Sequence, residues 1–178
     1  MLTIIKKFKS SVYLILISSV AGVSVGCGGT GVITPNAPQF SKCYNEETKT
    51  AKNCEDIDYK KLLESKKEWK IISYHFKGKT IALKQSAESH FVLQFKDNQI
   101  NGSLGCNRFF GDYWIEGNML KLGNAGMTRK MCEPEVMTHE DIMVQNFLNV
   151  STKIVVVEET KGMSKIFFIG KEFYLVLN

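Results

Sequence analysis

After residue 68 short apolar-rich stretches recur between turn residues, some alternating apolar and polar positions at period two, the spacing of strands with one buried face. Phe91, Leu93 and Phe95 line one side of the segment 90–96 in this way. The pattern predicts strands over 69–76, 80–83, 90–96, 99–104, 110–116, 119–122, 153–159, 165–169 and 173–177. Gly78, Asp97-Asn98, Gly117-Asn118 and Gly170 mark turns between them. Helical spacing occurs twice. A short helix is expected over 56–67, capped by Asp56 or Asp58. A longer one is expected over 133–150, opened by Pro134, with Val136, Met143, Phe147 and Val150 inside a stripe about 60° wide. His139 and Glu140 border that stripe and read as rim residues. The sum is an α+β domain: a small curled antiparallel barrel-like sheet of about eight strands, its interior filled, with one main helix packed against it.

The N-terminal residues break this pattern. Lys6, Lys7 and Lys9 precede an apolar run over 12–26, shorter than the ~20 residues that cross a bilayer as a helix and of the size of a secretory signal. Ser24-Val25-Gly26-Cys27 resembles the bacterial lipobox, with Ser24 where an aliphatic residue is usual. The resemblance implies lipidation of Cys27 and a membrane partner through that anchor. Gly28 in place of Asp implies a periplasm-facing outer membrane lipoprotein rather than an inner-membrane one. The Gly/Pro/Thr-rich stretch that follows reads as a tether, so the divisions are a signal at 1–26, a tether with a cysteine loop at 27–55, and a folded domain at 56–178.

Charge and cysteines narrow the chemistry. Three of the 23 basic residues lie in the leader, leaving 20 against 18 acidic ones, which gives no basic stripe for nucleic acid. Four cysteines follow Cys27. An even number in an exported chain suggests two disulfides, for which three connectivities exist; local pairing gives Cys43–Cys54 and Cys106–Cys132. No C-x-x-C or H-x-x-x-H occurs and His75, His90 and His139 are scattered, so neither a metal nor another cofactor is expected. Within the folded domain at 56–178 no G-x-S-x-G, P-loop or G-x-G-x-x-G is present. The sharpest enzymatic alternative is a hydrolase-type cluster of His139 and Glu140 near Arg108. A third reading presents the Cys43–Cys54 loop to a protein partner, as an interaction or inhibitor module.

One stretch carries a family signature. Gly102-Ser-Leu-Gly-Cys-Asn-Arg-Phe-Phe-Gly-Asp-Tyr113, then Met127-Thr-Arg-Lys-Met-Cys132, then Val136-Met-Thr-His-Glu140 and Phe147-Leu148, resembles the META domain, also called HslJ-like. The likeness runs over about residues 67–178 and includes the opening Trp69-Lys-Ile. It implies an envelope-anchored α+β barrel associated with heat or antibiotic stress and, in some organisms, virulence. It brings no established reaction, cofactor or catalytic residue. The matched positions Gly105, Asn107, Arg108, Gly111, Thr128 and Glu140 are expected to be structural or to form a binding surface, with Asn107 in a left-handed turn and Thr128 bonded to nearby backbone. The resulting expectation is a non-enzymatic envelope lipoprotein whose barrel binds a small ligand or an envelope protein.

Overall fold

The computed structural model describes residues 37–45, 47–54, 56–160 and 163–178. The leader, Cys27 and the tether up to residue 36 lie outside the described residues.

In chain order the elements are β1 (Lys42–Asn45), β2 (Thr50–Asn53), α1 (Tyr59–Glu64), β3 (Trp69–Phe76), β4 (Lys79–Ala82), β5 (His90–Lys96), β6 (Gln99–Gly105), β7 (Arg108–Glu116), β8 (Met119–Leu122), β9 (Gly126–Met127), α2 (Pro134–Met143), a π turn (Val144–Leu148), β10 (Thr152–Thr160), β11 (Met163–Ile169) and β12 (Phe173–Leu177). Eight of them form a closed antiparallel barrel in the order β11-β12-β3-β5-β6-β7-β8-β10, with β10 pairing back to β11. Closure leaves these eight strands no free edge, which is how a small all-antiparallel sheet avoids edge-to-edge association. Four further strands extend the sheet to twelve, β1, β2, β4 and β9.

Period-two alternation sets which residues fill the barrel. Ile154 faces Phe168, Phe168 faces Leu175 and Leu175 faces Tyr74 across four neighbouring strands, and all four side chains are buried. Phe95 sits edge-on to Tyr113 at 5.1 Å between ring centres, and Phe168 stacks on Phe147 at 5.4 Å. Phe147 comes from the π turn, so the helical segment supplies part of the barrel core. Each such buried apolar side chain contributes roughly 1.5–3 kcal/mol. Two tyrosines keep their hydroxyls satisfied at the edge of this core. Tyr113 donates to Glu64 Oε1 of α1 at 2.7 Å, and Tyr74 lies 2.8 Å from His139 Nδ1 of α2.

The two-residue turns are as the sequence predicts: Asp97 and Asn98 both take positive φ (52° and 64°), the geometry of the tight hairpins that match strand twist. Asp58 caps α1 through a bond from Lys61 N, and Pro134 opens α2. Three elements differ from expectation. The short helix covers only Tyr59–Glu64, because it begins after its cap and ends before the lysines that close the expected span. The long helix changes to π geometry after Met143, and its wider turn rotates later residues off a 100° reckoning. Phe147 and Leu148 are therefore buried while Val150, assigned to the same stripe by sequence, is exposed. The Cys43–Cys54 segment, expected as a polar loop, is a hairpin: β1 pairs antiparallel with β2 and parallel with β10 through Lys42 and Val157. Its strands carry no apolar alternation, so the pattern that reveals the others is silent there. Among the described residues no helix is long and apolar enough to cross a membrane.

Candidate functional site

The signature residues meet at the corner between β6 and β7. β6 ends at Gly105, whose φ of +144° suits glycine; a Cβ there would lie 3.1 Å from Val136 and 3.3 Å from Phe91. The chain then turns through Cys106 and Asn107, exposing two backbone N–H groups that belong to no strand ladder. Glu140 reaches them from α2. Its Oε2 accepts from Cys106 N at 3.0 Å and Asn107 N at 2.5 Å, and its Oε1 accepts from Asn107 Nδ2 at 2.7 Å. Asn107 Oδ1 in turn accepts from the Thr128 hydroxyl at 2.9 Å and Lys130 N at 2.6 Å. Thr128 Oγ1 accepts from Arg108 N at 3.0 Å, and Thr128 N donates to Arg108 O at 2.9 Å. Ser103 Oγ donates to Asn107 O. Three remote segments are thus tied into one knot, and the Cys106–Cys132 disulfide closes it covalently.

Glu140 and Asn107 are each only 2% exposed. Glu140 is therefore a buried acceptor rather than the rim residue its place on the helical stripe suggests. The corner supplies the reason: unpaired buried N–H groups are costly, and a carboxylate accepting several of them removes that cost. Asn107 acts through its side chain, and its φ is not positive, contrary to the expected left-handed turn. Thr128 bonds nearby backbone as expected. Arg108 enters the knot only through its backbone, its side chain being exposed. Gly111 lies apart, with Ala125 3.3 Å from the position of a Cβ.

His139 turns the other way. Its Nδ1 meets Tyr74 and its Nε2 lies 3.8 Å from Glu135 of the same helix. Tyr74 and Tyr113 both hold their protons above the ordinary tyrosine range, Tyr74 through burial, Tyr113 through burial and then the Glu64 carboxylate. His139 and Glu140 thus have separate partners, and the His139–Glu140–Arg108 cluster is not assembled. Among the described residues no group of three or more His, Cys, Asp or Glu side chains is placed to hold a metal ion. Both local disulfides are formed, and the Cys43–Cys54 loop is fixed against β10 by strand pairing and by a bond from Tyr44 N to Glu158.

The same strand that starts in the knot carries a second feature. β7 alternates strictly, with Phe109 and Tyr113 buried and Arg108, Phe110, Asp112, Trp114 and Glu116 exposed. Phe110 is 67% and Trp114 45% exposed. The Phe110 ring lies across Gly126, where a Cβ would come within 2.6 Å of Cζ. Two clefts flank this aromatic row, one of about 280 Å³ beside Phe110 and Asp112, the other of about 590 Å³ beside Trp114 and Val150; Asn124 lines both. Sequence reading assigned no role to Phe110 or Trp114. The signal was present: Phe109-Phe110 and Tyr113-Trp114 are adjacent aromatic pairs in a strand, and one member of each must face outward.

A closed eight-stranded barrel with a helix clamped to one corner by a Gly-Cys-Asn, Thr and Glu knot is the architecture in hand. The META domain pattern matches residues 61–161, more than half of the chain, and the protein belongs to the META domain family. No curated protein matches the chain. The fold is similar to that of a protein from Burkholderia xenovorans solved by NMR, with a TM-score of 0.55 and 16% identity, over 71% of this chain and 93% of that one. That likeness is one of fold alone.

Proposed function

We propose that the chain is a non-catalytic lipoprotein of the bacterial cell envelope, anchored through an acylated Cys27 and facing the periplasm from the outer membrane. The META barrel acts as its binding module. One observation carries the binding part: the barrel interior is filled and the signature side chains satisfy one another, so the outer face of β7, with its exposed aromatics, is the surface left for recognition. The compartment is supported by the leader pattern and by two disulfides, which persist in oxidising surroundings. By family resemblance the setting is a response to heat or antibiotic stress. Intact mass and fractionation of the expressed full chain test the anchor. The expected species begins at Cys27, carries added acyl mass and sediments with membranes, and Cys27→Ser moves it to the soluble fraction. A membrane-bound Cys27→Ser protein of unchanged mass, or free thiols at the other four cysteines, would overturn the reading.

A further inference from the structure

The outer face of β7 differs from an ordinary solvated strand in three ways. Phe110 and Trp114 stand four residues apart on one side, about 13 Å at ~3.3 Å per residue, a span that matches about two or three pyranose rings in an extended chain. The two clefts beside them are lined by neutral hydrogen-bonders, Gln99, Asn101, Asn124 and Asn149, with Asp112 the single carboxylate in their walls, while Trp114 Nε1 donates to Glu116. Register places Asn101 opposite Phe110 and Gln99 opposite Asp112, so amides lie directly beside both the aromatic and the acid. Neither cleft is lined by Lys or Arg. Lys121 lies directly opposite Trp114 in register, its charge paired with Glu116, and Lys60 lines a further cleft on Trp114's other side.

We propose that this face binds a neutral oligosaccharide, a chain of pyranose units laid along β7 with rings against Phe110 and Trp114. The proposal rests on the reading of the barrel as a binding module and names its ligand class. An aromatic ring face is electron-rich and attracts the polarised C–H groups on the flat side of a sugar. Amide side chains offer a donor and an acceptor together, and a carboxylate two acceptors, which is the pairing that adjacent hydroxyls require. No cationic side chain lines the two clefts and Lys121 beside Trp114 is already neutralised by Glu116, which argues against a polyphosphate or nucleic acid, whose binding depends on neutralising phosphates. The two clefts meet at Asn124 and are open, which suits an extended ligand better than a single small molecule.

The test is calorimetric titration of the full chain in detergent with tetramers of β-1,4-linked N-acetylglucosamine, β-1,4-linked glucose and α-1,4-linked glucose. Saturable binding of at least one tetramer is expected, weakened at least tenfold by Trp114→Ala and by Phe110→Ala with the melting temperature unchanged. The protein's other tryptophan, Trp69, is buried, so a blue shift of exposed tryptophan emission on binding should vanish in Trp114→Phe. No heat with any tetramer would overturn the proposal, as would binding that survives both alanine variants. So would sedimentation showing a dimer that Trp114→Ala dissociates, since the face would then be a contact between copies. None of these outcomes touches the Cys27 anchor, whose test is separate.

Discussion

At its first residues β7 is held on every side: Asn107 and Arg108 share eight hydrogen bonds with Glu140, Thr128, Lys130 and Ser103, and the buried polar atoms of the corner are matched. Two to six residues further on, the same strand sets Phe110 and Trp114 largely into solvent, Phe110 over Gly126 and Trp114 beside Glu116 and Lys121. One region uses polar side chains to make an interior, and the other uses apolar side chains to make a surface. Each inverts the usual placement. Buried polar groups are tolerated when mutually satisfied, and they then fix one geometry. Exposed aromatics have no such internal partners, and the proposed recognition rests on them while the knot ties the corner together.

The comparison breaks most severely at Glu140. Replacing it by alanine leaves the backbone N–H groups of Cys106 and Asn107 without acceptors in a buried corner and the Asn107 amide with only Lys130 O. At about 1–3 kcal/mol for each unsatisfied group, partly relieved by entering water, a loss of about 3 kcal/mol or more is expected. Glu140→Gln retains one acceptor and should lose less. Asn107→Asp should be as damaging as Glu140→Ala, because it sets a second carboxylate against the first and removes the donor between them. Urea unfolding under non-reducing conditions measures all three. A Glu140→Ala loss below about 1 kcal/mol would mean that the corner is solvated and the knot is not what secures it.

A smaller effect separates the barrel rim from the knot. Tyr113 and Tyr74 keep their protons in the folded state to higher pH than in the unfolded chain, because burial disfavours the phenolate and, for Tyr113, Glu64 adds to this. Stability from this source is therefore complete below about pH 10, where both states are protonated, and falls as pH rises further and the unfolded state alone releases the proton. Tyr113→Phe should cost about 1–2 kcal/mol near neutrality through the lost bond to Glu64. It should also make the alkaline decline shallower. Urea midpoints taken between neutral and alkaline pH give both quantities, and a decline equally steep in Tyr113→Phe would assign it to other groups.

Much of the barrel was legible from apolar pattern and turn residues: 90–96 falls where period-two alternation puts it, and 119–122 and 173–177 where short apolar runs between turn residues put them. Legibility failed where side-chain pattern does not decide structure. The β1–β2 hairpin has no apolar face and is held by a disulfide and backbone pairing. The π turn after Met143 changes the helical period, which no single residue announces. Glu140 looked like a rim residue because its buried partners are backbone N–H groups, and backbone leaves no trace in composition. The signature itself was visible, and its polar side chains Asn107, Thr128 and Glu140 turn inward to one another, while Phe110, within the same stretch, and Trp114, just after it, face outward.

The smallest expected change in stability is at those two residues, and it is the sharpest test of the contrast. Phe110→Ala and Trp114→Ala remove side chains that are mostly exposed, so the change should stay within about 0.5 kcal/mol, the range of surface substitutions. Phe110 is the harder case, since its ring covers Gly126 and contributes some packing to the β7–β9 pair. Trp114, bonded only through Nε1 to the exposed Glu116, should be closer to neutral. If Trp114→Ala instead costs 2 kcal/mol or more, the aromatic row is part of the barrel's support and the division between knot and face disappears. If it is neutral while Glu140→Ala is severe, a strand that is uniform in backbone has been divided by its side chains into an anchored end and a presenting one, and selection for binding can act on Trp114 without passing through stability.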